Sequence, residues 1–382
     1  MTKGVIVIEG HVQGLANTRM LGRMGVPVIV IDKDNCIARY SRYCSKYYRC
    51  PDYLSASFIR FLTNLARTEN LQGWLLLPSN DHAVYNISKH KDALGEHYSI
   101  ITEDIGVIEK IYNKRTLLEI ATRISIPIPA TVMPVNSNPD HIDIRYPVLV
   151  KGNNGLTFYQ QYHHKAFFVQ SETELHTLFS NQLSHISPTD YFIQELIPEG
   201  TNTISATVFA IKGEVYAHWM GVKLREHPLR FGTATCCQSL FNQVILDQSK
   251  VLVKELCFTG VCEIEWLQDV RDGQYKLIEI NARTWLWVGL AEKCGVNYPL
   301  IIYEFVYNGS LPEQKDYEIG KYWINLYTDI FFSIMRLTKG IDAFSSILSS
   351  YHCFNEACWE RLDPLPFFVY GLFILKFLKH RC

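Results

Sequence analysis

The 382-residue chain lacks an apolar run approaching the roughly 18 residues that a membrane-spanning helix needs. The longest runs from Pro366 to Leu375 and is followed by Lys376, Lys379, His380 and Arg381. That composition fits a buried terminal helix or an interfacial anchor with a basic end. No Gly-x-Gly-x-x-Gly follows the first strand signal; the glycines of Gly10-His-Val-Gln-Gly14 are spaced too far apart, which weakens a dinucleotide-binding reading. Asp32, at the end of the second strand signal, is what keeps a dehydrogenase in view. The eleven cysteines include no Cys-x-x-Cys pair, so neither a zinc site nor a disulfide framework is indicated. Their odd number, with no signal peptide, points to a reducing cytoplasm. Adjacent Cys236 and Cys237 read as small buried apolar residues. Charge of one sign is also missing: a formal net charge of −1 argues against a basic nucleic-acid-binding surface. There is no internal repeat and no low-complexity linker.

Hydrophobic residues at 48% and charged residues at 20% describe a globular chain, too long for one ordinary core. Gly4-Val-Ile-Val-Ile8 is a continuous apolar run, the mark of a buried parallel strand. A helix from Gly10 to about Gly25 and strands at Val28–Ile31, Trp74–Leu77 and Ser99–Thr102 predict an open α/β sheet with a ligand crevice at its strand ends. Pro78-Ser-Asn-Asp81 is a polar turn suited to a substrate group or to a helix N-cap. A helix from Asn113 is followed by strands at 146–151, 166–170, 191–196, 203–211 and 215–220. Helical, aromatic-rich sequence fills the remainder from Pro299.

Glu263-Ile-Glu265-Trp and Leu277-Ile-Glu279-Ile-Asn281-Ala-Arg283 place oxygen ligands at every second position on two strands. A three-residue loop, Arg271-Asp272-Gly273 with glycine left-handed, sets Glu265 opposite Glu279 and Glu263 opposite Asn281. Carboxylates so gathered repel unless a cation intervenes, and hard oxygens suit Mg²⁺. A solvated acidic hairpin is the plainer alternative.

Taken in order, Asn113-Lys114, Val150-Lys151, Gln194-Glu195-Leu196-Ile197, Lys223-Leu-Arg225, Glu265 and Glu279-Ile-Asn281-Ala-Arg283 resemble the ATP-grasp superfamily over roughly residues 3–310. Within it the chain is similar to carboxylate–amine ligases related to D-alanine–D-alanine ligase, carbamoyl-phosphate synthetase and D-aspartate ligase. The group whose early segment carries Ala-Arg-Tyr-Ser-Arg-Tyr, here Ala38 to Tyr43, is the nearest in pattern.

The resemblance implies an α/β (α+β grasp) fold: an N-terminal open parallel α/β domain (1–110), a small lobe with a lid (111–196), a large lobe with a metal site (197–310) and a helical C-terminal tail (311–382). It implies that Lys114 and Lys151 contact nucleotide phosphates, with Gly152 and Gly155 in a mobile loop over them. Gln194, Glu195, Leu196 and Ile197 would meet adenine, the main chain of Glu195 and Leu196 pairing with its edge. Glu199 or Asn202 would meet ribose. Glu265, Glu279 and Asn281 would hold Mg²⁺ or Mn²⁺, with Glu263 less certain. Lys223, Arg225 and Arg283 would face the transferred phosphoryl group or the developing oxyanion. The implied activity is ATP-dependent joining of a small carboxylate to an amine, giving ADP and phosphate; the resemblance hints at modification of a cell-surface polysaccharide or peptidoglycan precursor, or of a peptide-like metabolite. A homodimer and peripheral membrane contact by the tail are compatible with it. A non-catalytic nucleotide-binding protein on the same fold is the main alternative.

Overall fold

The computed structural model describes residues 3–134, 142–227, 232–313, 315–338, 350–351 and 353–379, side chains at 156, 159 and 375–379 excepted. Strands β1 (Val5–Ile8) and β2 (Val28–Asp32) are buried at every position, as continuous apolar runs require. With β3 (Cys44–Arg49), β4 (Trp74–Pro78) and β5 (Tyr98–Ile100) they form a five-stranded parallel sheet ordered β3-β2-β1-β4-β5. The edge strand β3 escapes sequence reading because Cys44-Ser-Lys-Tyr-Tyr-Arg49 is half exposed and polar, without clean alternation.

A small antiparallel sheet follows, ordered β6-β9-β7-β8 from Thr131–Val132, Tyr191–Glu195, Val148–Gly152 and Ala166–Val169. The third sheet has seven strands, β14-β13-β10-β11-β12-β15-β16. Its centre comprises β10 (Ile204–Ile211), β11 (Glu214–His227), β12 (Thr233–Ser239), β13 (Gly260–Gln268) and β14 (Tyr275–Asn281). Cys236 and Cys237 are fully buried in β12.

The C-terminal segment is helical as expected, at Leu326–Thr338 and Leu365–Lys379, and also supplies β15 (Tyr322–Ile324) and β16 (Phe354–Glu356) to the large sheet. Three-residue strands are too short to show alternation. One core runs from the parallel sheet to the large sheet: Val5, Val7 and Leu75 belong to the same buried cluster as Trp219, Trp285 and Trp287. Trp219 stacks on Trp285 at 5.9 Å and meets Trp287 edge-on at 5.2 Å. Three buried indoles anchor this core.

Candidate active site

The acidic hairpin has the expected register at its functional end: Glu263 faces Asn281, and Glu265 faces Glu279. The route to that register differs from the expectation. Asp269 pairs with Gln274, leaving a four-residue loop, Val270–Gly273, in place of three. A bulge between Glu265 and Trp266 then restores the frame, since Trp266 faces Leu277 and Ile278 is the extra residue. Gly273 has φ +71°, the left-handed conformation that glycine adopts at least cost. Two offsets of one residue cancel, and the carboxylates meet.

A cleft of about 550 Å³ lies between the small and large sheets. Lys114, Lys151, Gln194, Glu195, Leu196, Ile197, Lys223, Glu265, Glu279, Asn281 and Arg283 all line it. Each cation at its large-sheet wall rests on an oxygen. Lys114, first residue of a helix capped by Asn113, places Nζ 3.0 Å from Glu279 Oε2. Lys223 Nζ lies 2.7 Å from Glu265 Oε1. Arg283 straddles the Asp81 carboxylate at 2.9 and 3.0 Å and donates to Asn281 Oδ1 at 3.3 Å. Lys151 instead donates to the amide oxygen of Gln194 at 3.0 Å.

These partners set the electrostatics. Lys114 holds the Glu279 carboxyl well below the usual carboxylate range, and Glu279 raises Lys114 in return. Burial, helped by neighbouring Lys114, brings Lys151 down to about 7. Glu263 is 3% exposed; burial and the charge of Glu265 push it up to about 7 although Ser205 donates to it at 2.7 Å.

Five sequence-singled residues stand outside the lining. Gly152 is buried in β7, where an added Cβ would come within 2.2 Å of Phe158, so close packing requires glycine there. Gly155 opens the helix Gly155–Tyr162, and the segment 152–155 is a strand-to-helix turn. Glu199 and Asn202 are exposed on the link after β9. Arg225 turns away from Lys223 because β11 shifts register on both sides of it. It is 7% exposed and grips Asp329 bidentately at 2.9 and 2.7 Å, with Ser350 and the Tyr351 ring beside it. The even spacing of Lys223 and Arg225 suggests a shared face, and a bulge removes it.

The amide N–H groups of Glu195 and Leu196 donate to the carbonyls of Ala130 and Pro147. The Glu195 side chain accepts from Ala130 N–H and pairs with Arg271 at 2.8 Å, which ties the link to the hairpin loop.

Sequence reasoning left out His163, His164 and Lys165, which line the cleft from the turn between the helix and β8, and Glu226. A His-His-Lys run entering a strand was the available signal. Asp81 sits where the polar turn after β4 was noted; Asn80 caps its helix, accepting from Ala83 N–H at 2.9 Å, while Asp81 holds Arg283. Asp32 is taken up structurally, accepting from Gly10 N–H at 2.8 Å and Tyr53 O–H at 3.0 Å.

The donor set fits an ion that arrives with phosphates. Glu265, Glu279 and Asn281 supply two carboxylates and an amide on facing strands. Among the described residues no three His, Cys, Asp or Glu side chains form a metal cluster. Mg²⁺ characteristically uses one or two carboxylates and completes its shell with water and substrate phosphate.

No protein-family model matches the chain. It is 24% identical over 242 residues to a D-aspartate ligase of Enterococcus faecium, covering 59% of this chain. The chain spans 58% of the length of that relative. Among solved structures it resembles an L-amino acid ligase from Bacillus licheniformis, with a TM-score of 0.61 and 16% identity over 81% of this chain and 77% of that one. It also resembles the biotin carboxylase domain dimer of 2-oxoglutarate carboxylase from Hydrogenobacter thermophilus, in complex with MgADP, ADP and bicarbonate. There the TM-score is 0.63 and the identity 16%, covering 84% and 74% of the two chains.

Proposed function

We propose, from the premise that the chain is a member of the ATP-grasp superfamily, that it is an ATP-dependent ligase joining a carboxylate to an amine. The observation that carries this reading is the meeting of four cations, Lys114, Lys151, Lys223 and Arg283, with Glu265, Glu279 and Asn281 in one cleft between two sheets. A triphosphate needs such cations, and they are already held in place by oxygens it can displace.

In the reaction a carboxylate oxygen of the substrate attacks the γ-phosphorus, and the bond to the bridging oxygen of ADP breaks. The amine lone pair then attacks the acyl carbon, phosphate leaves, and the amine gives up a proton. Little covalent work falls to the protein, which positions reactants and balances charge. Lys114 and Lys223 leave Glu279 and Glu265 for phosphate oxygens. Lys151 gains a proton beside the anion. Arg283, aimed by Asp81, stands at the mouth of the metal strand as a planar donor for an oxyanion. Glu265, Glu279 and Asn281 would hold Mg²⁺, which supplies neutralisation of the phosphate charge.

The relative makes D-aspartate the first carboxylate to try, and the resemblance read in the sequence suggests an amine acceptor of the peptidoglycan- or surface-polysaccharide-precursor class. The test uses MgATP, hydroxylamine as a small surrogate amine, and a panel of amino and hydroxy acids led by D-aspartate. Phosphate release with hydroxamate formation for one carboxylate supports the reading. Nucleotide binding without phosphate release for any carboxylate, with hydroxylamine or a diamine, would favour a non-catalytic binder.

A further inference from the structure

We propose that the helix Leu365–Lys379 and the turn before it form a docking surface for an anionic lipid bilayer. The inference stands apart from the ligase reading. Packing covers one side of the helix. Its inner face is committed: Tyr370 is buried and its hydroxyl accepts from Asn325 at 3.0 Å. Phe367 lies 4.8 Å from Tyr327, and an added Cβ on Gly371 would come within 2.7 Å of the Tyr327 ring. The outer face is uncommitted among the described residues. Leu365, Phe368 and Leu372 are 52%, 56% and 60% exposed and follow the i, i+3, i+7 spacing of one helical stripe. Trp359 (46%) and Leu362 (64%) extend it, with Trp359 6.0 Å edge-on to Phe368.

Scattered exposed leucines need no explanation; a contiguous stripe ending in an indole does. Charge identifies what covers it. Arg42 and Arg361 are exposed beside the stripe, and Arg42 donates to the carbonyl of Leu362 at 3.3 Å. The two acids of this segment are already used. Glu360 is held by Arg23 at 2.8 Å, and Asp363, 2% exposed, by Arg19 and Ser41. In sequence Lys376 and Lys379 add two further cations to this helix. His380 and Arg381 lie outside the described residues. An apolar stripe rimmed by cations with its acids neutralised is complementary to an anionic interface. No described helix is long and apolar enough to cross a membrane, so the contact is in the interface plane.

The buried Asp363 explains the rigidity of this presentation. Its carboxylate accepts from Arg19 at 2.8 Å, Ser41 at 2.6 Å and Arg42 N–H at 2.8 Å. Ser41 and Arg42 belong to the Ala38–Tyr43 motif, whose Tyr40 also meets Phe373 at 6.5 Å. The motif therefore clamps the tail to the N-terminal domain.

Sedimentation of the full chain with phosphatidylcholine vesicles, with and without phosphatidylserine, tests this. Binding is expected only to the phosphatidylserine vesicles and is expected to fall with salt. Leu365→Ser/Phe368→Ser/Leu372→Ser should weaken it by at least about tenfold, and Arg42→Gln and Arg361→Gln by roughly fivefold each. Unchanged thermal unfolding in each variant shows that the fold survives. Equal sedimentation of wild type and the triple variant overturns the proposal, as does failure of wild type to bind. A concentration-dependent dimer that the triple variant abolishes, without vesicle binding, assigns the face to a second copy.

Discussion

Lys114 Nζ and Glu279 Oε2 stand 3.0 Å apart, so the cation assigned to a phosphate and the carboxylate assigned to a metal hold each other. Each neutralises the other, and on the proposed reading a metal and a nucleotide would take over these contacts. Glu279→Ala is therefore expected to lower Mg²⁺-dependent phosphate release by at least about a hundredfold. The exchange is local, and the pair is about a third exposed, so thermal unfolding should stay near wild type. Phosphate-release assays beside a melting curve check both halves.

Lys151 offers a proton-linked test. Burial and Lys114 depress it to about 7, against an ordinary value of 10.5. Stability tied to this neutral lysine is present above 10.5 and is lost as pH falls through about 7. Phosphate nearby favours the charged form, so nucleotide binding near pH 8 should take up close to one proton. Calorimetry in buffers of different ionisation enthalpy measures it. Lys151→Met should abolish the uptake and weaken binding by about tenfold or more.

Arg225 separates a structural cation from those of the cleft. It and Asp329, 7% and 0% exposed, form a buried bidentate pair that Thr235 and Tyr351 also join at 2.7 and 2.6 Å. Arg225→Ala leaves the buried Asp329 carboxylate without this counter-charge and should cost about 3–5 kcal/mol. Urea unfolding reads that loss. Nucleotide affinity of the folded fraction should be unchanged, which a role at the transferred phosphoryl group would not allow.

Glu263 gives a pH signature of the opposite sign. Its folded value is raised to about 7, so the stability it contributes is fully present below about 4.5 and disappears as pH rises through 7. Glu263→Gln, permanently neutral, should raise Tm by a few degrees at pH 8 and hardly at pH 5. Melting curves at the two pH values decide it.

Legibility of these features in the sequence followed physical cause. Buried parallel strands such as Val5–Ile8 announce themselves as apolar runs, whereas β3, β15 and β16 are polar or three residues long and carry no periodic signal. The pairing of Glu265 with Glu279 was readable from alternation. The bulge at Ile278 and the longer loop that produce it were not, because their one-residue offsets cancel. Arg225 shows the reverse case: its alternation with Lys223 pointed to the cleft, and two register shifts turned it to Asp329. The partner lies 104 residues away in sequence, beyond any local pattern.

The most direct test of the central claim is thermal unfolding of wild type and Glu279→Ala with Mg²⁺ and a non-hydrolysable ATP analogue, with NAD as control. At about 100 times the dissociation constant, a bound nucleotide adds roughly 2.7 kcal/mol of stability. That stabilisation is expected for wild type with Mg²⁺ and analogue, and a much smaller one for Glu279→Ala. Stabilisation by NAD alone, or an equal Mg²⁺-dependent gain in the variant, would contradict it.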